Sequence, residues 1–156
     1  MGFKEVMESA SAGDPHAQNA MGYIFFSGDG VAKDLEKAAV WFDMSAEQGD
    51  PEGRCNLGYM LAHGLGCNID HARAFELYTL SAEQGYARAQ FNLANAYSEG
   101  MGCVQDWDRA YHWYSKASDG GVLAAHFRMG VMNEEGRGIP VDLVAAREIY
   151  ERCCDE

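Results

Sequence analysis

Histidine, cysteine and serine are the side chains that most often carry metal or covalent chemistry, and here they lack the spacing that such chemistry needs. The five histidines show neither His-x-x-x-His nor Glu-x-x-His, the helical patterns that place two ligands on one metal. Neither Ser-x-x-Lys nor Lys-Thr-Gly, the motifs of serine acylation, occurs. The spacing assembles no Ser-His-Asp or Cys-His combination. We therefore predict a protein that is not an enzyme and binds no metal and no cofactor.

A Gly-x-Gly pair is a second candidate for chemistry, because glycine-rich loops can bind phosphate. The pair occurs four times, at positions 28/30, 64/66, 100/102 and 136/138. A phosphate-binding loop follows a strand and opens a helix, whereas each of these pairs lies between two helical patterns. The pairs therefore predict turns between helices.

The glycine pairs belong to a 36-residue unit that occurs four times without insertion, at residues 13–48, 49–84, 85–120 and 121–156. In every unit an aspartate follows four residues after the second glycine of the pair, and an alanine follows four residues later again. A fixed period of this length is typical of stacked repeat proteins. A single unit cannot bury its own apolar face. We therefore predict one domain over residues 1–156, with residues 1–12 as an N-terminal capping helix.

Each unit has the pattern of a helix, a turn and a second helix, which we name helix A and helix B. In the first unit, Asp14 as N-cap and Pro15 as first helical residue predict helix A over about 15–27. Gly28 suits a left-handed helix end, and Asp34 suits the N-cap of helix B. Apolar residues recur at helical spacing in both helices. The fold prediction is all-α: nine helices, no strand, four helix-turn-helix repeats and one N-terminal half-repeat helix.

The composition limits the classes of partner. The net charge is −12, from 24 acidic and 12 basic residues, which argues against nucleic acid and against an anionic membrane surface. No stretch is long and apolar enough to span a membrane, and the N-terminus lacks the apolar segment of a signal peptide. The five cysteines are an odd number and imply no disulfide framework. We therefore expect a cytoplasmic protein.

The unit resembles the Sel1-like repeat (SLR), a relative of the tetratricopeptide repeat with a longer loop. The resemblance rests on Ala-Gln-x-x-Met-Gly-Tyr at 17–23, Ser-Gly-Asp-Gly-Val at 27–31, Ala-Ala-Val-Trp-Phe at 38–42 and Ser-Ala-Glu-Gln-Gly at 45–49. It covers the whole chain after residue 12. It implies a right-handed α/α superhelix, or solenoid, whose A helices line a concave face, and a role as an adaptor in protein complexes.

A cysteine-rich branch of this family has been linked to β-lactam binding and pairs cysteines between neighbouring helices. Here only Cys55 stands at a suitable helix A position, and its expected partner position holds Ser45 or Ala46. The resemblance therefore does not extend to that branch.

The candidate partner-binding residues form a second stripe on helix A, outside the apolar core stripe. Exposed aromatic side chains along a groove are typical of peptide-binding surfaces. In the related tetratricopeptide family, asparagines near the position of Asn56 and Asn92 bind peptide backbones. The alternative is that the stripe packs between adjacent A helices. The predicted concave-face residues are Asn19, Tyr23, Phe26, Cys55, Asn56, Tyr59, Phe91, Asn92, Asn95, Phe127, Val131 and Glu134.

These observations favour a protein–protein interaction adaptor that binds a peptide or protein segment on its concave helix A face. A second hypothesis is an inhibitor or immunity protein for a toxin or secreted enzyme, which would bind one folded target tightly. A β-lactam-interacting enzyme is a remote alternative. The sequence leaves the identity of the partner and the oligomeric state open.

Overall fold

The computed structural model describes residues 2–154, with residues 153 and 154 described as helical backbone only, and this part of the chain is all-α with no strand. The all-α prediction is therefore confirmed. The helices are α1 (Phe3–Ser11), α2 (Pro15–Ser27), α3 (Leu35–Glu47), α4 (Pro51–His63), α5 (His71–Glu83), α6 (Ala87–Glu99), α7 (Trp107–Asp119), α8 (Leu123–Glu135) and α9 (Leu143–Cys154). Helices α2, α4, α6 and α8 are the A helices, and α3, α5, α7 and α9 are the B helices.

Aspartate side chains start most of the helices, as the sequence predicts. The Asp14 carboxylate accepts a hydrogen bond from the Ala17 amide at 2.9 Å, and Pro15 occupies the first turn. Such a cap satisfies a backbone N–H that has no partner inside the helix. The aspartates that cap a B helix in the same way are Asp34, Asp70, Asp106 and Asp142. The A helices α6 and α8 begin after Tyr86 and Val122 and have no side-chain cap.

The glycine pairs end the A helices and dock the turns that follow. Gly28 ends α2 in the left-handed conformation, with φ of 79°. The second glycine of the pair has a different role in two of the repeats. A Cβ added to Gly66 would collide with the backbone of Leu35, and one added to Gly138 would lie 2.6 Å from the carbonyl carbon of Trp107. In these two repeats the turn therefore lies directly on the first residue of an earlier B helix.

The first compact unit comprises Met1–Gln84 and contains α1 to α5. Each of its helices packs on the next helix in the chain. Gly22 in α2 lies against the ring of Phe42, and a Cβ added to Gly58 in α4 would lie 2.8 Å from the ring of Tyr78. A glycine in the middle of a helix costs about 1 kcal/mol relative to alanine. The close approach of an aromatic ring from the B helix explains why glycine is present.

The second compact unit comprises Gly85–Glu156 and contains α6 to α9. Its core includes Leu93 of α6 and Tyr114 of α7, which are 0% and 2% exposed. Gly130 in α8 repeats the arrangement of the first unit, because an added Cβ would lie 2.7 Å from the ring of Tyr150. The two units therefore use the same packing of helix A on helix B. The cooperativity of residues 1–156 as one domain stays a prediction.

Candidate functional site

The predicted binding stripe lies on the A helices, and its residues have different environments in the two units. In the first unit the stripe lies on α2 and α4. In the second unit it lies on α6 and α8. A position in the first unit corresponds to the position 72 residues later in the second, because each unit holds two 36-residue repeats.

In the first unit, amide side chains join the two A helices. The Asn56 Nδ2 atom of α4 donates to Oδ1 of Asn19 on α2 at 2.8 Å. The Tyr23 hydroxyl donates to Oδ1 of Asn56 at 3.1 Å. Asn19 and Asn56 are each 5% exposed. Their amides therefore lie between α2 and α4, as in the packing alternative, and each satisfies a buried polar group of the other.

The remaining stripe residues of the first unit differ in accessibility. Cys55 is fully buried, so its thiol packs inside the unit and presents no surface to a partner. Tyr59 is exposed, and its ring lies 4.2 Å from the ring of His63 one helical turn later. Phe26 is half-buried and carries the Lys33 ammonium 5.6 Å from its ring centroid. Tyr59 is thus the exposed aromatic side chain of this stripe, and Phe26 and Tyr23 are half-buried.

In the second unit, two stripe residues are engaged by aromatic side chains of the B helices. The Tyr114 hydroxyl of α7 donates to Oδ1 of Asn95 at 2.6 Å. The rings of Phe91 and Tyr114 are 5.8 Å apart. Asn95 therefore bonds within its own repeat, unlike Asn56, which bonds across two A helices. Phe91, Asn92 and Asn95 are all half-buried.

The stripe continues on α8 with exposed residues. Phe127 is 51% exposed, and its ring lies 5.4 Å from that of Tyr150. The Tyr150 hydroxyl donates to Oε2 of Glu134 at 2.9 Å. Partial burial and this carboxylate raise the pKa of Tyr150. Val131, which lies between Phe127 and Glu134 on α8, is half-buried.

A cleft of about 380 Å³ opens beside this stripe, on α6, α7, α8 and the turns that follow α6 and α8. Ser98 is one of its lining residues, and the corresponding position of the first unit carries the much larger Phe26. Its walls combine an indole, aliphatic side chains and charged groups. The residues that define it are Ser98, Trp107, Tyr114, Arg128, Val131 and Arg137.

The two arginines of the cleft have different partners. The Arg137 Nε atom lies 2.7 Å from Oε2 of Glu135, and its guanidinium lies 4.8 Å from the Trp107 ring. The Arg128 side chain is exposed, and it forms no hydrogen bond and no ion pair with residues 2–152, the part of the chain whose side chains the structure describes. Its charge acts on the Tyr114 hydroxyl. The cleft thus contains one compensated and one uncompensated guanidinium.

The Tyr114 hydroxyl and the Cys67 and Cys103 thiols stay protonated at neutral pH. Burial raises the pKa of the Tyr114 hydroxyl, which therefore stays a donor to Asn95. Burial also raises the pKa values of the Cys67 and Cys103 thiols. A raised thiol pKa disfavours the nucleophilic thiolate. Among the side chains of residues 2–152, no three His, Cys, Asp or Glu groups come together as a metal site would require.

Trp107, Arg128 and Arg137 lie outside the binding residues that were predicted from the sequence. Trp107 begins a B helix and belongs to no helix A stripe. Arg128 stands at the helix A position that carries Asn56 and Asn92 in the two preceding repeats. A usable signal is present in the first residue of the B helices, where the four repeats carry Leu35, His71, Trp107 and Leu143. An indole at a helix start beside a glycine turn has little core to fill.

The alternation of A and B helices, with each A helix packed on its own B helix, defines an all-α solenoid of helix-turn-helix repeats. No helix in the described part of the chain is both long and apolar enough to cross a membrane. The model of the family described as Sel1 repeat matches residues 15–50, 51–86, 87–122 and 123–156. The chain belongs to the Sel1 repeat family, whose members generally act as protein-interaction scaffolds and are typically not enzymes.

Two of the solved structures that are similar to the chain are themselves Sel1-like repeat proteins. One is c5321, a protective antigen present in uropathogenic Escherichia coli strains that displays an SLR fold, with 30% identity and a TM-score of 0.91 over 96% of this chain. The other is a Sel1 repeat protein from Oxalobacter formigenes, with 29% identity and a TM-score of 0.87 over 98% of this chain. The chain spans 32% of the length of the first and 63% of the second. No curated protein matches the chain.

Proposed function

We propose that this chain binds an extended segment of another protein through the exposed residues of its A helices, with the cleft of the second unit as the principal contact. The observation that carries the proposal is the open cleft of about 380 Å³, which Arg128 and Val131 line on α8, the helix that also carries the exposed ring of Phe127. Peptide sites combine such an apolar wall with a few polar groups that fix orientation. The scaffold role of the family supports the same conclusion.

The burial pattern narrows the predicted contact residues. Asn19, Cys55 and Asn56 are buried, so they support the surface residues and do not contact a partner themselves. The contact residues in the proposal are Tyr23, Phe26, Tyr59, Phe91, Asn92, Asn95, Phe127, Val131 and Glu134, together with Trp107 and Arg128. The net charge of −12 keeps nucleic acid out of the proposal. Cys55, Cys67 and Cys103 form no disulfide, which supports the expectation of a reducing, cytoplasmic compartment.

A selection from a random peptide library displayed on phage tests the proposal, followed by fluorescence anisotropy of the enriched peptides. We expect Phe127→Ala to weaken binding by about tenfold, because an aromatic contact residue typically contributes more than 1 kcal/mol. Tyr59→Ala should weaken it less, since Tyr59 lies on α4, which contributes no residue to the cleft, whereas Phe127 lies on α8, which does.

Val144→Ala is the matched control, because Val144 is 70% exposed on α9 and belongs to no A helix. Thermal unfolding of each variant establishes that it is folded. Enrichment of no peptide, or equal affinity of wild type and Phe127→Ala, would contradict the proposal.

A further inference from the structure

We infer that the cleft of the second unit recognises a carboxylate of the bound segment, with Arg128 as its ion-pair partner and an apolar residue of the segment beside it. This inference rests on the proposed function and specifies the chemistry of its partner. It follows from comparing positions that correspond between the two units.

The position of Arg128 is occupied by Asn56 in the first unit, where the side chain is fully engaged. Asn56 donates to Asn19 at 2.8 Å and accepts from Tyr23 at 3.1 Å. The second unit has Phe91 and Asn95 at the positions of these two partners. Phe91 offers no hydrogen-bonding group, and the Asn95 oxygen accepts from Tyr114 instead. Arg128 is therefore left in the cleft without the partners that its counterpart has.

The other charged groups of the cleft leave Arg128 as its uncompensated positive charge. Arg137 is neutralised by Glu135 at 2.7 Å and lies over the ring of Trp107. Glu99 also lines the cleft and is exposed to solvent. A guanidinium presents paired N–H donors that match the two oxygens of a carboxylate. A carboxylate of the ligand would thus form the ion pair that Arg128 lacks. The negative charge of Glu99 would repel that carboxylate and lower the affinity.

The walls around Arg128 specify the neighbour of that carboxylate. Trp107, Val131 and Met132 contribute indole, isopropyl and thioether surface to the same cleft. Apolar surface of this kind binds an aliphatic or aromatic side chain of the segment, because contact removes it from water. The expected ligand is therefore a segment with an apolar residue next to an acidic side chain, or next to a free C-terminal carboxylate.

The experiment uses the peptides enriched on the wild-type chain, each synthesised in matched forms. One form replaces Asp and Glu by Asn and Gln, and another carries an amidated C-terminus. We expect one of these changes, and the Arg128→Gln variant, to weaken binding by about fivefold each, as for an ion pair near the surface. Arg128→Gln combined with the uncharged peptide should cost no more than either change alone.

Arg147→Gln is the matched control, because it removes the same charge from α9, outside the cleft. Loss with the amidated peptide identifies a C-terminal carboxylate, and loss with the Asn and Gln form identifies an acidic side chain. If enriched peptides bind equally in every form, or bind Arg128→Gln as tightly as wild type, the inference is wrong while the proposed function stands. If the wild-type chain enriches no peptide, both are wrong.

Discussion

The A helices of the first and second units share one scaffold and differ at the positions between the helices. In the first unit, Asn19 and Asn56 are buried and bond to each other across α2 and α4. In the second unit, Ser98 and Arg128 stand at positions of Phe26 and Asn56, and a cleft opens there. The comparison indicates that a few positions on helix A decide whether a repeat pair bonds its polar groups internally or leaves them in an open cleft.

The largest effects are expected where both units are the same, in the docked glycine turns. Gly66→Ala places a Cβ on the backbone of Leu35 at a φ of +68°. We expect a loss of about 3 kcal/mol in the free energy of unfolding, from steric overlap and left-handed strain together. Gly138→Ala in the second unit should have a similar effect, as measured by urea denaturation.

Gly30→Ala is the control, because its Cβ would meet nothing within 4 Å. It should cost about 1 kcal/mol. Equal losses at Gly30 and Gly66 would contradict the docking role.

A second prediction addresses the difference between the units directly. Asn56→Ala removes the partner of the Asn19 amide inside the protein, and leaving a buried polar group unsatisfied should cost about 2 kcal/mol. The corresponding change, Arg128→Ala, removes an exposed side chain without an ion pair and should change stability by less than about 0.5 kcal/mol. Urea denaturation of both variants measures the contrast. Similar losses for the two would remove the basis of the comparison.

Tyr114 provides a third contrast, because the first unit has Phe42 at its position. Tyr114→Phe removes the hydrogen bond to Asn95, so we expect a loss of about 1 kcal/mol. Burial raises the pKa of Tyr114 in the folded state. The unfolded chain therefore releases this proton first, and stability should fall as the pH rises above about 10. The free energy of unfolding, measured by denaturation at several pH values above about 10, should fall less steeply with pH for Tyr114→Phe than for the wild type. The same pH dependence in both proteins would contradict the role given to Tyr114.

Glu99 allows a smaller test of the cleft. Glu99→Gln removes a negative charge from its wall, and we expect a carboxylate-bearing peptide to bind about twofold more tightly. The uncharged form of the peptide should bind both proteins equally. Fluorescence anisotropy at low ionic strength measures the difference, since salt screens such charges. Tighter binding of both peptide forms would indicate a change in shape rather than in charge.

The smallest expected difference concerns the two units as folding entities. Trp41 reports on the first unit, and Trp107 and Trp113 report on the second. One variant retains Trp41 as its only tryptophan, and a second variant lacks Trp41. If the chain is a single cooperative domain, the tryptophan fluorescence of each variant should change at the same denaturant midpoint as its circular dichroism. A fluorescence transition that separates from the circular dichroism transition in either variant would contradict the single-domain prediction.

The fold was predictable from the sequence because its determinants are local. Asp14, Asp34 and Gly28 act within a few residues of themselves, and their recurrence gives the helix limits directly. The candidate site was less predictable, because helical periodicity identifies a stripe without showing what faces it. Asn56 and Tyr59 belong to the same predicted stripe, yet one is buried against a neighbouring helix and the other is exposed. Ser98 lies at the end of α6 and Trp107 at the start of α7, and both line the cleft. Helical periodicity describes one helix at a time, so it does not predict which residues of two different helices line the same cleft.

Within each unit, every helix packs on the helix that follows it in the chain. The sequence separation between contacting residues is therefore short, which is the property that most strongly favours rapid folding. During synthesis, a helix A could pack with its helix B soon after both leave the ribosome, without waiting for a distant strand or terminus. We expect that the order of translation and the order of assembly coincide in this protein, so that a partly made chain exposes one unfinished repeat face at a time.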